Sequence, residues 1–326
     1  MTMHVQLAHR HRPLIVLLGP TAVGKSRVAI QVAKHFDTEI LTADSRQVYR
    51  GMDIGTDKPT AEERQVVPHQ LLDLVNPDDA FNTGWYRRAA LAHIERLYEA
   101  HRLPFVVGGT GLYIRTLVRG LCPAPQGDPK VRADLKVLRE QGGRDGLYAE
   151  LMRVDPVTAA RLHPNDESKV MRALEVYRLS GRLMSEMQAE HQFQEASFSS
   201  LLIGLQRSKE LLYRRIDERI DWQLAHGMVE ETRALLDRGY SRELGAMKGL
   251  GYRHIAAYLA NECDEAEMVR QFKRDTRRFA KRQMTWFRKE PGVEWFCIDE
   301  GEPLEQVGSR VITRIKEFLK GHESQQ

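Results

Sequence analysis

Lys25 and Ser26 close the run Gly19-Pro20-Thr21-Ala22-Val23-Gly24-Lys25-Ser26, which fits G-x-x-x-x-G-K-[ST] without a mismatch. Every residue type in it has a use in holding phosphate. The glycines let the backbone turn until its N–H groups point at phosphate oxygens. The start of a following helix adds a positive end. Lys25 brings a mobile positive charge, and Ser26 a hydroxyl suited to Mg2+. A glycine-rich turn with no ligand is the bland alternative. The flanks argue against it: the apolar run Leu14-Ile15-Val16-Leu17-Leu18 comes before, and Arg27 to Ala33 follows with helical apolar spacing. A phosphate-bearing ligand is expected, of a kind the loop alone does not name.

A second chemical group follows the short apolar run Glu39-Ile40-Leu41-Thr42-Ala43, which reads as a strand and leads into Asp44-Ser45-Arg46-Gln47-Val48-Tyr49. In open parallel sheets the carboxyl ends of strands are where ligands sit, so Asp44 is a site candidate. Its alternative is an N-cap of the next turn. Leu103-Pro104-Phe105-Val106-Val107 reads as a buried strand running into Gly108-Gly109-Thr110-Gly111-Leu112-Tyr113, where two glycines permit close backbone approach. No strand ends in a convincing Walker-B acid. Asp299, after Trp295-Phe296-Cys297-Ile298, fits the end of an edge strand better. The loop is thus equipped to hold phosphates without the usual hydrolytic apparatus. Arg207, Arg214, Arg215 and Arg219 cluster farther on, with Arg215 and Arg219 four apart on one helix face. They either serve the phosphates or pair with Asp217, Glu218 and Asp221.

The elements needed to position these groups alternate as strand and helix, which predicts an α/β, P-loop NTPase-like, doubly wound parallel sheet. Residues 51–84 read as a long functional loop, and a helix from about Thr83 to Ala100 keeps Tyr86, Ala89, Ala90, Ile94 and Leu97 at helical spacing. A Pro/Gly-rich linker, Gly120 to Gly127, then opens a segment without strand signals. In it Asp128-Pro129 starts a helix that Gly142-Gly143 stops, and Asn165-Asp166 caps Glu167 to Ser180 before Gly181. Strand character resumes at Ser200–Leu205. The division is therefore an α/β core over 13–117 and 198–326, with a small all-helical domain inserted over 118–197 and a helical C-terminal region. The chain has 326 residues, 29% of them charged, and no apolar run of membrane-spanning length. Residues 1–12 read as a frayed tail rather than a signal peptide. Cys122, Cys263 and Cys297 are widely spaced and fit reduced cytosol, and the histidines show no metal-ligand spacing with them.

The C-terminal half is basic. Leu211 to Gly239 is helical and could bend at His226-Gly227. Met247-Lys248-Gly249-Leu250-Gly251-Tyr252-Arg253-His254 mixes glycine turns, cations and an aromatic, as suits a phosphodiester backbone. Asp264 to Glu290 reads as one helix, with Val269, Phe272, Phe279, Ala280 and Phe287 toward the core. On its other faces Arg270, Lys273, Arg274, Arg277, Arg278, Lys281, Arg282, Arg288 and Lys289 outnumber the acids. A solvated face is the ordinary reading; the charge imbalance favours a nucleic-acid stripe.

Together these segments resemble the tRNA dimethylallyltransferase (tRNA isopentenyltransferase) family. The motifs are GPTAVGKS (19–26), ADSRQVY (43–49), GGTGLY (108–113), HPND with RALEVY (163–166 and 172–177), GLGYRH (249–254) and KRQMTWFR (281–288). The resemblance implies transfer of a dimethylallyl group from dimethylallyl diphosphate to the exocyclic amine of an adenosine beside the anticodon. By its motif positions Asp44 is the general base and Thr110 stands beside the reacting groups. The diphosphate would lie on Gly19 to Ser26, with Arg215 and Arg219 adding charge and Mg2+ near Ser26 or Thr21. Gln47 has the edge to pair with adenine. Contacts to the tRNA anticodon stem-loop are expected from Asp44, Ser45, Arg46, Gln47, Thr110 and Arg132. Further ones are expected from Ser168, Lys169, Val170, Met171 and Arg172, from Lys248 to Arg253, and from Lys281, Arg282, Gln283, Met284, Thr285, Trp286, Phe287 and Arg288. Where the family usually has Arg, this chain has Lys169, which keeps charge but loses the planar fork. A cytoplasmic enzyme, active as a monomer and without membrane contact, is expected. A P-loop kinase of a small molecule or nucleotide shares the fold but leaves the basic helix unexplained. A non-catalytic RNA-binding module leaves Asp44 and Gln47 without a role.

Overall fold

Alternation within the strand Pro13–Leu18 (β1) organises the larger of two units. Ile15 and Leu17 enter one apolar cluster, while Leu14, Val16 and Leu18 enter the other. A strand buried on both faces is what a parallel sheet between helix layers requires. The computed structural model describes residues 12–191 and 198–323. The tail expected over residues 1–12 lies outside them except for Arg12, as does the segment 192–197.

After β1 come helix Lys25–His35 (α1), strand Ile40–Ala43 (β2), helix Ala61–Val66 (α2), strand His69–Gln70 (β3), helix Thr83–Glu99 (α3), strand Phe105–Gly108 (β4) and helix Gly111–Arg119 (α4). Four helices follow in the second unit: Pro129–Val154 (α5), Pro156–Ala159 (α6), Glu167–Ser180 (α7) and Met184–His191 (α8). The first unit resumes with strand Ser199–Gln206 (β5) and helices Lys209–Ala225 (α9), Met228–Asp237 (α10), Tyr252–Leu259 (α11) and Glu265–Phe287 (α12). Strand Val293–Cys297 (β6) and helix Leu304–Glu323 (α13) complete it. The six strands are ordered β3-β2-β4-β1-β5-β6 and every pair is parallel. The α/β expectation holds, and β6, which precedes Asp299, is an edge strand. No helix among the described residues is long and apolar enough to cross a membrane. The three cysteines are free.

Side-chain clamps rather than hydrophobic period order the 51–84 region, which is why it read as loop and yet holds α2 and β3. Lys58, whose side chain is 1% exposed, donates to Tyr49 O, Asp53 Oδ1 and Asp73 Oδ1, each at 2.6 Å. The Glu231 carboxylate on α10 accepts from the consecutive N–H groups of Asp53, Ile54 and Gly55 at 2.9, 2.8 and 3.1 Å, and from the Tyr252 hydroxyl at 2.6 Å. Gln223 donates to Ile54 O at 2.7 Å. The long helical stretch of the C-terminal half breaks into α9 and α10 at Gly227, whose φ of 97° only glycine adopts freely.

The second compact unit, Arg119–Ala196, has its own core of Leu135, Leu147, Leu151, Val170 and Leu174. Asp128 caps α5 as expected, donating no proton but accepting from Lys130 N and Val131 N. The stop expected at Gly142-Gly143 is there: Gly143 leaves helical geometry (φ 64°), so α5 is two helical stretches joined at a kink, the second running to Val154. The unit's charged centre is Glu175, fully buried, which accepts from Arg132 at 2.7 Å, Arg172 at 2.6 Å and Asp128 N at 2.9 Å. Burial works to raise its pKa, but the two guanidiniums prevail and hold it below the ordinary value.

Candidate active site

The groups singled out in the sequence stand at carboxyl ends of the central strands. β1 leads into the glycine loop, β2 into Asp44, β4 into Gly109-Thr110, and β5 into Arg207. Adjacent strands must run close together here. A side chain on Gly108 would place its Cβ 2.1 Å from Ala43 O, which explains one glycine of the pair by packing against β2. The other faces Gln283.

Three guanidiniums grip the loop itself. Arg207 donates to Val23 O and Arg215 to Ala22 O, each at 3.0 Å. Arg219 donates to the Thr21 hydroxyl at 2.6 Å and to Asp57 Oδ2 at 3.1 Å. The acids on their own helix go elsewhere: Asp217 pairs with Arg277 and Asp221 with Lys273, both on α12. Solvated pairing within α9 is therefore not what holds Arg215 and Arg219. Arg207 belongs to the arginine cluster seen in the sequence, whereas no local pattern marks Asp57.

Lys25 donates to Gly19 O and Pro20 O at 3.0 and 2.8 Å. Burial is the main cause that pushes its pKa down to about 8; Asp44 opposes this, Arg219 adds to it, and Asp57 opposes it. An ammonium whose basicity is lowered mainly by burial is stabilised by an anion brought beside it. Asp44 is half-buried, and its Oδ1 accepts from Arg46 N at 2.8 Å. The Thr110 hydroxyl accepts from Ser45 N at 3.0 Å, tying the β2 and β4 ends together. Gln47 spends its amide hydrogens on Thr56 O and Asp57 O, both at 3.0 Å.

Two cavities meet at these residues. One, of about 450 Å3, is bordered by Thr21 to Ser26 of the loop apart from Val23, and by Asp44, Arg215 and Arg219. The other, of about 340 Å3, is bordered by Asp44, Ser45, Arg46, Thr110, Lys248, Arg253 and Arg282. A phosphate cradle and a polar chamber that share a carboxylate suit group transfer between a phosphorylated donor and a second substrate.

Matches to known proteins bear on which transfer. The family model described as IPP transferase matches residues 47–290, and that described as isopentenyl transferase matches 13–74. The chain belongs to the IPP transferase family. It is 48% identical over 299 residues to tRNA dimethylallyltransferase 2 of Geotalea uraniireducens, covering 92% of this chain and 96% of that one. The full-length tRNA isopentenylpyrophosphate transferase of Bacillus halodurans superposes with a TM-score of 0.72 at 34% identity, over 96% of this chain and 98% of that one. A eukaryotic dimethylallyltransferase acting on tRNA gives 0.81 at 28% identity, over 95% and 80%. The family assignment sets the kinase and non-catalytic readings aside.

Several residues assigned from the transferase motifs have other places. Thr21 does not suit a cation, because its hydroxyl already receives the Arg219 guanidinium. Ser26, exposed in the first turn of α1, is open to one. No group of three His, Cys, Asp or Glu among the described residues could hold a metal, so a Mg2+ here would depend mainly on phosphate oxygens. Tyr252, Phe287 and Val170 are each 1% exposed, in core clusters, and cannot offer side chains to RNA. Leu250 packs on the core, and Gly249 and Gly251 are buried. Gln283 is buried too: it accepts from Thr21 N and donates to Gly109 O, both at 2.9 Å, bridging two loops. Arg132 and Arg172 hold Glu175, and Lys169 pairs with Asp166 at 2.9 Å. Ser168, Lys169, Lys248, Arg253, Lys281, Arg282, Thr285, Trp286 and Arg288 are exposed; Met171 and Met284 are partly so.

Proposed function

We propose that this family member transfers the dimethylallyl group of dimethylallyl diphosphate to the exocyclic amine of the adenosine on the 3′ side of the anticodon in tRNA. The observation that carries the reading is the Asp44 carboxylate bordering both the phosphate-loop cavity and the chamber beside it. The diphosphate lies on the loop N–H groups, Lys25, Arg215 and Arg219. As the allylic C–O bond breaks, its electron pair leaves with pyrophosphate, and these cations take up the charge. The amine lone pair forms the new C–N bond, and Asp44 accepts the proton lost from nitrogen. That assistance matters because an adenine amine is a weak nucleophile; a general base contributes about 10²–10⁴-fold. Mg2+ held by Ser26 and the diphosphate would lower the charge of the leaving group.

The base must leave its stack to reach the chamber, which costs least in a single-stranded loop. Gln47, with its amide hydrogens engaged, offers its oxygen to the purine edge. Thr110 stands beside the reacting groups. Lys248, Arg253 and the exposed cations of α12 grip the RNA backbone, and the helical unit meets the anticodon arm through Ser168, Lys169 and the region of Arg132 and Arg172. Such an enzyme works in the cytoplasm as a single chain. Incubation with radiolabelled dimethylallyl diphosphate and unmodified tRNA tests the reading: label should appear in tRNA with release of pyrophosphate. Unlabelled tRNA under conditions where both substrates bind would refute it.

A further inference from the structure

Six residues border both cavities: Thr21, Asp44, Thr56, Arg219, Phe279 and Gln283. Five bring polar or charged groups, and Phe279 is the one apolar side chain among them. Helical spacing put Phe279 in the core, but it is half-buried, whereas Thr276, Ala280 and Gln283 on the same helix are buried. A donor with its diphosphate in the first cavity and its reacting carbon presented to an amine in the second must lay its hydrocarbon across this junction. We infer that Phe279 receives the dimethylallyl group and sets the length of prenyl chain the site accepts. The inference rests on the transferase reading and deepens it.

Three arguments converge on this residue. A branched hydrocarbon gains nothing beside Asp44, Arg219 or Gln283, and the ring offers it apolar surface. Breaking the allylic C–O bond spreads positive charge over the allyl carbons, which the negative face of an aromatic ring stabilises. The ring already has a cation of that kind near it, the Arg282 guanidinium lying 5.8 Å from its centroid. Finally, the helix that carries the ring is anchored: Ala280 and Phe272 on it belong to the core, and Gln283, one turn on, is fixed to two loops. A ring mounted on an anchored helix limits the length of a chain by volume.

The test compares kcat/KM for geranyl and dimethylallyl diphosphates, with unmodified tRNA, in the wild type, Phe279→Ala and Phe279→Leu. The wild type should favour the five-carbon donor, and Phe279→Ala should raise the geranyl-to-dimethylallyl ratio by about tenfold or more. Phe279→Leu keeps apolar bulk without the ring, so it should lower kcat for dimethylallyl diphosphate with KM nearly unchanged. Should the alanine variant fail to fold by circular dichroism, the leucine variant decides. A ratio and a kcat that stay at wild-type values overturn the inference while wild-type transfer leaves the transferase reading standing. A wild type that transfers neither prenyl group overturns both.

Discussion

If the diphosphate lies on the loop as proposed, Lys25 gives substrate capture its pH dependence. With its pKa pushed down to about 8, the free protein loses this cation as pH rises through that value. A bound diphosphate raises the pKa again, so binding takes up a proton above pH 8. Affinity should then fall by about tenfold per pH unit until the bound form titrates too. Pyrophosphate binding followed by calorimetry should show this break in the wild type and not in Lys25→Arg; a flat wild-type profile would contradict it. The fold carries the matching cost. A lysine whose pKa is lowered from 10.5 opposes folding fully below about pH 8, and that opposition is relieved as pH climbs toward 10.5. At this scale Lys25, Asp44 and Thr110, which border the two cavities, could be picked out in the sequence because their neighbours follow a pattern. Gln283 and Phe279 were misread because burial decided their roles: the amide was turned inward between two loops, and the ring outward to a cavity.

Helix α12 divides its cations between those with carboxylate partners and those that the proposed function gives to RNA. Arg270, Lys273, Arg274, Arg277 and Arg278 have carboxylate partners at Glu267, Asp221, Asp275, Asp217 and Asp275. Lys281 and, just past the end of the helix, Arg288 and Lys289 have no ion pair among the described residues, where Arg282 has only its aromatic contact. Replacing Lys281 and Arg282 by Ala should therefore flatten the salt dependence of tRNA affinity, by a slope of about 1 to 2. Replacing Lys273 and Arg277 should leave that slope near wild type. Equal slopes in both double variants would show that the split has no bearing on RNA. The loop from Asp53 to Asp57 depends in turn on α10. Glu231→Gln keeps the size but loses the charge that three N–H groups and a phenol address, and should cost about 1–3 kcal/mol in denaturant unfolding. Because Asp57 anchors Arg219, KM for the diphosphate should rise as well, and rescue by Glu231→Asp should be at most partial. Unchanged stability and KM would free the loop from this clamp.

Seen whole, the molecule places one carboxylate between two chambers. Its sheet was legible because β1, β2 and β4 are short apolar runs ending in glycine or polar clusters, and periodicity separates them from α1 and α3. The loop of 51–84 was not legible, since Lys58 and Glu231 act across distances that no local pattern records. The break at Gly142-Gly143 was legible, because a glycine pair admits the backbone angles that end the first helical stretch, and Leu135 and Leu147 on either side of it share one core. The same core makes Glu175 a test of the helical unit: Glu175→Ala frees two partly exposed guanidiniums and leaves Asp128 N without its acceptor, and should destabilise the unit by about 1–3 kcal/mol, read by thermal unfolding. An unaltered transition would mean that the cluster is not holding the unit together.

The central claim concerns Asp44, and single-turnover transfer at saturating dimethylallyl diphosphate and tRNA addresses it most directly. Asp44→Asn keeps the shape of the side chain and the cavities around it, so both substrates should still bind while the rate constant for label transfer falls by at least about 10²-fold. An asparagine variant that transfers label as fast as the wild type would contradict the account.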